Sequence, residues 1–197
     1  MLSEIGAGLW YGAADVRFYG AQIQTRMSVV RLTNGGLAII SPLVLTDELA
    51  TALKALGPVQ HVLSANKIHN QGLESFANAY PTAQIWASPG SVERRSDIAF
   101  AGTLGDAPHA DWADIMDQLT TKGNVFFCEV VFFHSASKTL IVADLVENLS
   151  DETVKGSIAK AAAKMGHIFG CPLPSPEFRS YTTDATAAAK QLDKICG

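Results

Sequence analysis

Hydrophobic and polar positions alternate loosely over residues 27–32 and again over 37–40, with Asn34-Gly35-Gly36 between them. Alternation with a period of two is a strand signal, and Asn-Gly tolerates the positive φ of a tight hairpin. The whole stretch of the first forty residues reads as strands. Ser41-Pro42 ends the last of them, because proline has no N–H to give a ladder. From Thr46 the period changes. Leu49, Leu53 and Leu56 recur at three to four, Thr46-Asp47-Glu48 opens a helix, and Gly57-Pro58 closes it. Residues 61–64 then predict a short strand, 65–71 a polar loop, 73–80 a helix stopped by Pro81, and 84–87 a strand ended by Pro89-Gly90. Strand, helix, strand, helix, strand is the pattern of layered α/β packing with parallel neighbours.

Residues 91–111 are irregular, and 112–119 have helical spacing. Residues 125–133 give the strongest strand signal, with both faces almost wholly apolar, as expected of a central strand covered on both sides. Residues 135–138 make a turn and 139–143 return as a second buried strand. Residues 151–164 and 183–195 read as helices, and 172–176, with three prolines, as a rigid connection.

Length fits one domain over residues 1–197, large enough to bury a core without disulfides or a structural metal. Lys plus Arg is 15 and Asp plus Glu is 19, a net charge of −4 with no basic run. That balance argues against nucleic acid and anionic membranes as partners. Cys128, Cys171 and Cys196 lie far apart and form no Cys-x-x-Cys pair, which reads as reduced intracellular thiols. The N-terminus has no basic region leading into an apolar run, and no apolar stretch has the length of a membrane span, so a cytoplasmic protein is expected. Gly-x-Ser-x-Gly, a phosphate loop and a dinucleotide fingerprint are absent from the sequence.

Two segments carry candidate chemistry. The first runs from His61 to Leu73, where a buried strand delivers a polar loop with Asn66, Lys67 and His69 before Gly72 opens a helix. Layered α/β proteins place ligands at such strand ends. The second runs from His134 to Leu145, with His134 closing one strand and Asp144 the next. This arrangement resembles the metallo-β-lactamase superfamily, whose loop reads Thr-His-x-His-x-Asp-His-x-Gly-Gly and whose later His and Asp end two strands. On this chain those loop positions fall on Ser64, Asn66, Ile68, His69 and Gly72, and the later pair on His134 and Asp144. More narrowly, the chain resembles the family called domain of unknown function 4336, from about residue 10 to residue 148. The carriers are the run from Arg26 to Leu32, Asn34-Gly35-Gly36-Leu37, Ser41-Pro42, Asn66-Lys67-x-His69, Tyr80-Pro81, Pro89-Gly90, the run from Glu129 to His134, and Thr139-Leu140-Ile141-Val142-x-Asp144-Leu145.

The resemblance implies an αββα sandwich of two mixed sheets flanked by helices. It also implies a reduced metal site in which His69, His134 and Asp144 hold one zinc, iron or manganese ion, or none at all. Three protein ligands plus water make an open catalytic zinc site, and an activated water would serve hydrolysis. Asp144 and Asn66 are then the catalytic candidates, Asn66 positioning substrate or water. The alternative is a non-catalytic relative that binds a small molecule or a partner in the same cleft, walled by Trp86 or Trp112, with Lys67 offered to an acidic ligand. Glu129, inside an apolar strand, needs a partner and is expected to pair with Arg26 or Arg31. Cys128 reads as a small buried hydrophobe, and His61 and His109 as surface histidines, His109 within loop reach of the cleft.

Overall fold

The computed structural model describes residues 1–18, 21–124, 126 and 128–196. It opens with three antiparallel strands, β1 (Ser3–Gly6), β2 (Leu9–Phe18) and β3 (Ala21–Arg31), followed by β4 (Leu37–Ile40). Between β3 and β4, Asn34 Oδ1 accepts the Gly36 N–H and Gly35 takes a φ of 82°, the geometry expected of Asn-Gly. Helix α1 (Asp47–Leu56), β5 (Val59–Leu63), α2 (Leu73–Ala79) and β6 (Gln84–Ala87) follow. Thr46 caps α1 by accepting the Leu49 N–H at 3.2 Å. After α3 (Ser91–Arg94), β7 (Gly102–Thr103) completes the path β1 to β7 of an eight-stranded sheet. Pairs from β1 to β4 are antiparallel, and β4, β5, β6 and β7 are parallel.

A second, antiparallel sheet in the order β10-β9-β8 comprises β8 (Met116–Thr120), β9 (Val130–His134) and β10 (Thr139–Ile141). The two sheets bury Leu9, Val30, Ile40 and Leu63 against Met116, Val130, Phe132 and Ile141. The outer face of the large sheet buries Val29, Ile39 and Val62 against Leu53 of α1 and Phe76 of α2. The remaining elements are β11 (Val146–Glu147), β12 (Val154–Lys155), α4 (Ser157–Met165), β13 (Leu173–Pro174), α5 (Pro176–Tyr181) and α6 (Ala185–Cys196). Val131 of β9 packs on Phe178 of α5, and α6 lies beside β8. The layers are therefore helix, sheet, sheet, helix. Strand β12 adds to β3, extending the large sheet. None of the helices among the described residues is long and apolar enough to cross a membrane.

The structure differs from the sequence reading in several places: the segment expected to be irregular holds α3 and β7, and the strand expected over 139–143 ends at Ile141. Residues 112–119 are a turn followed by β8, because Met116 to Thr120 pair with β9 and the buried Gln118 amide bonds Trp112 Nε1 and the Gly105 carbonyl. The strand expected over 125–133 begins only at Val130; Val125 and Phe127 lie outside the described residues. Glu129 leaves the ladder because its N–H goes to the Thr121 hydroxyl. The helix expected from residue 151 starts at Ser157, after a Ser150–Thr153 turn and β12. Within the connection at 172–176, Ser175 caps the unanticipated α5 by accepting the Phe178 N–H.

Parallel packing brings the carboxyl ends of β4 and β5 side by side, and one glycine presses their loops together. A Cβ on Gly72 would lie 2.3 Å from both the Pro42 and Leu43 carbonyl oxygens. Ser75 Oγ tightens the same junction by accepting the Leu45 N–H and donating to the Gly72 carbonyl. Gly72→Ala is therefore expected to cost about 1–3 kcal/mol or more through overpacking against rigid backbone. Loss of the α1 cap in Thr46→Ala is expected to cost about 1 kcal/mol and leave the loop junction intact. Urea denaturation of both variants checks this; a Gly72→Ala midpoint equal to wild type would refute the close approach.

Candidate functional site

Beneath the carboxyl ends of these strands lies a buried carboxylate. Glu129 is fully buried. Its Oε1 accepts the Ala143 N–H at 2.8 Å, and its Oε2 accepts the Asp144 and Leu145 N–H groups at 2.7 and 3.1 Å. A fourth donor is Asn66 Nδ2, 3.0 Å from Oε2. Burial and the neighbouring Asp144 carboxylate push the Glu129 carboxyl above its ordinary range, while the N–H donors pull the other way.

Asn66 is also fully buried, and its four hydrogen-bonding positions are all used. Oδ1 accepts the Ile68 and His69 N–H groups, both at 2.9 Å, while Nδ2 donates to Glu129 and, at 2.7 Å, to Asp144 Oδ2. Backbone donors on one side and carboxylates on the other fix which way the amide faces. Asp144 in turn uses its second oxygen, Oδ1, on His69 Nε2 at 2.9 Å. Glu129, Asn66, Asp144 and His69 thus form one continuous chain from the core to the surface. Desolvation alone would lower the His69 imidazole, but the Asp144 charge and hydrogen bond, with Glu129 and Glu147 behind them, raise it above its usual value. His69 Nδ1 makes no hydrogen bond among the described residues.

His69 and Asp144 both line a cavity of ≈ 1130 Å³ between the ends of β2 to β4, the 68–71 loop, β12 and α4. Ser41 lines it too, with a left-handed φ of 53°. Of the residues singled out from sequence, Asn66, His69 and Asp144 come together, and His134 does not. Strand β9 pairs with β10 so that His134 faces Thr139, Phe133 faces Leu140 and Phe132 faces Ile141. Continuing that register sets Glu129, not His134, opposite Asp144. His134 lies five residues farther along extended chain, about 16 Å away, where Nδ1 meets Ser137 Oγ in the hairpin turn at 2.7 Å. Two residues that end consecutive antiparallel strands occupy opposite ends of the hairpin.

The metal implied by the resemblance does not fit this donor set. Ser64 donates to the Asn66 carbonyl, Asn66 is saturated, Ile68 has no donor, and both Asp144 oxygens are occupied by protein hydrogen bonds. Among the described residues no three His, Cys, Asp or Glu side chains form a metal-holding group.

Other expectations also change. Glu129 pairs with neither arginine; Arg26 and Arg31 lie over the Tyr11 and Trp10 rings. Trp86, Trp112 and His109 do not line the cavity but gather around His61, whose Nδ1 accepts from Trp86 Nε1 and whose Nε2 meets Asp111. His61 is buried rather than superficial, and burial lowers its imidazole. Lys67 Nζ sits over the Phe126 ring, 4.7 Å from its centroid, rather than on the cavity wall. Cys128 is half-buried, with Sγ near the Thr121 carbonyl, and Cys171 is exposed.

A family described as "Domain of unknown function (DUF4336)" matches residues 14–168, which contain all four members of the hydrogen-bonded chain. No curated protein matches. Solved structures do: a metallo-beta-lactamase from Pontibacter korlensis at 16% identity and TM-score 0.62, covering 76% of this chain and 73% of its own. DIM-1 metallo-beta-lactamase exposed to ceftazidime matches at 14% identity and TM-score 0.62, covering 96% and 97%. TMB-1 matches at 14% identity and TM-score 0.62, covering 100% and 98%. These likenesses establish a metallo-β-lactamase-like fold.

Two outcomes follow for stability. Asn66→Asp sets a third carboxylate between two others and removes both amide donors, so a loss on the order of 3 kcal/mol or more is expected in urea denaturation; wild-type stability in this variant would contradict the network. The folded value of His69 lies above its ordinary 6.5, so the native state binds the extra proton. Its stabilising contribution is complete below pH 6.5 and is lost as pH rises through the folded value. Glu129, also raised, acts in the same direction. The denaturation midpoint is expected to fall between pH 6 and pH 9, on the order of one unit of pKa shift being worth ~1.4 kcal/mol, and His69→Gln should flatten the slope. A midpoint that rises over that interval would contradict it.

Proposed function

The chain belongs to the family described as domain of unknown function DUF4336, and from its site we propose that it binds a small organic molecule in the large cavity and acts on it by proton transfer at His69. The observation that carries this reading is the bonding of one imidazole. Nε2 is held by Asp144 at 2.9 Å, and Nδ1 has no protein partner among the described residues, in a side chain that lines the cavity. A carboxylate that fixes one ring nitrogen orients the other and stabilises the imidazolium formed when that nitrogen accepts a proton. Asp144 cannot swing away, because Asn66 holds its other oxygen.

The reaction class this serves is hydrolysis of an uncharged carbonyl compound. His69 Nδ1 takes a proton from water, the hydroxide oxygen forms a bond to the carbonyl carbon, and the bond to the leaving alcohol breaks as that group takes the proton back. Asn66 is a positioning residue here, since its amide is spent on holding the 68–69 backbone and the two carboxylates. No zinc, iron or manganese is required by this reading. A metal on His69 and Asp144 would displace the hydrogen bond that joins them and would find no third His, Cys, Asp or Glu ligand grouped with them among the described residues.

The test uses chelator-treated full-length protein and p-nitrophenyl acyl esters. Turnover is expected without added metal and unchanged by zinc, with His69→Gln lowering kcat about 10²–10⁴-fold, the range of general-base catalysis. Turnover that appears only on adding a divalent metal, or that survives His69→Gln, would refute the reading. Binding without any turnover would leave the non-catalytic alternative as the better account.

A further inference from the structure

The cavity itself specifies more than the position of His69. At ≈ 1130 Å³ it exceeds the roughly 300–1,000 Å³ of most small-molecule pockets, and aliphatic side chains such as Val16, Ile23, Val154, Ile158, Ala162 and Ile168 line it. Two large aliphatic side chains of the lining are exposed, Val44 at 58% and Ile158 at 86%. Large aliphatic side chains left open along one groove are a surface that an apolar ligand would cover.

Polar groups on the wall are unevenly placed. Ser41 is only 6% exposed, yet its Oγ has no hydrogen-bond partner among the described residues. A buried hydroxyl left unpaired is costly, and this one belongs to a residue held at φ 53° in the cavity wall. Strain and an orphaned donor together mark a position whose partner is a ligand atom. The charge around His69 is negative, from Asp144, Glu129 and Glu147. The two cations on the wall, Arg94 and Lys155, are exposed, and Lys155 Nζ bonds the Glu152 carbonyl. A carboxylate or phosphate placed at His69 would meet that negative charge, whereas an uncharged carbonyl oxygen can accept from Ser41 without opposing it.

We infer that the ligand is a long-chain neutral carbonyl compound, a fatty acyl ester or amide, with its chain along the aliphatic wall and its carbonyl at Ser41. This rests on the reading of the cavity as the binding site and on His69 as the group facing the carbonyl.

The test measures binding, not turnover. N-methyl amides of the C8, C10 and C12 fatty acids are titrated into the full-length protein and its variants by calorimetry. Affinity is expected to rise about fourfold per methylene, and the carboxylates of equal length to bind at least tenfold more weakly. Ile158→Glu, an exposed position where folding is not at stake, should weaken every amide at least tenfold. Ser41→Ala should weaken the amides three- to tenfold without altering the chain-length slope. Affinity independent of chain length, a preference for the carboxylate, or undiminished binding by Ile158→Glu would overturn the inference. The same titration on His69→Gln separates the two claims. Retained amide binding there, with ester turnover insensitive to the substitution, removes His69 as the base and leaves the ligand class standing. Ester turnover that depends on His69 but shows no chain-length preference removes the ligand class and leaves the base.

Discussion

A carboxylate taken wholly out of water must be met by hydrogen-bond donors or it will not stay there, and Glu129 is met by four. Three are backbone N–H groups of consecutive residues, Ala143, Asp144 and Leu145, and the fourth is the Asn66 amide. Those backbone groups would otherwise be left over where β10 stops at Ile141. One side chain therefore replaces the strand ladder at the point where the hairpin opens, and it fixes the path of the chain that carries Asp144. Just beyond β8, the Thr121 hydroxyl accepts the Glu129 N–H and the Thr121 N–H donates to the Glu129 carbonyl, completing the anchorage.

From that anchor the geometry propagates outward. Asn66 cannot rotate, because reversing its amide would set an oxygen against two carboxylates and N–H groups against the backbone donors of Ile68 and His69. Asp144 and His69 are thus positioned from both sides, by the backbone through Asn66 Oδ1 and by the side chains through Nδ2. The same network occupies the polar groups of this loop cluster, and among the described residues no three His, Cys, Asp or Glu side chains form a metal-holding group. Amide and backbone donors stand where a cation would otherwise balance the negative charge.

Much of the architecture was legible in the sequence. The Asn34-Gly35-Gly36 hairpin, the Thr46-capped helix and the strand and helix run through Ala87 follow from local period and capping chemistry. Local pattern failed where distant partners decide. Residues 112–119 have helical spacing, but 116–120 pair with β9, and β9 itself is shortened because the Glu129 N–H goes to the Thr121 hydroxyl. Within the site, Asn66, His69 and Asp144 were legible from their strand-end positions and the family pattern. His134 shares the strand-end position and the family pattern, but antiparallel strands return, so it falls at the other end of the hairpin from Asp144. A signal for Glu129 was present: with a turn at residues 135–138, the antiparallel register pairs Asp144 with Glu129. Ser41 left no mark beyond preceding Pro42, since an orphaned hydroxyl is a property of three-dimensional packing.

The central claim is that one buried carboxylate locks two loops of the cavity wall, and amide hydrogen exchange followed residue by residue tests it directly. The account predicts that Ile68, His69, Ala143, Asp144 and Leu145, all outside regular helices and strands or at their very ends, exchange slowly and together, with protection close to that of the sheet core. Exchange of these five amides at the rates of the exposed loops, or at five unrelated rates, would contradict it.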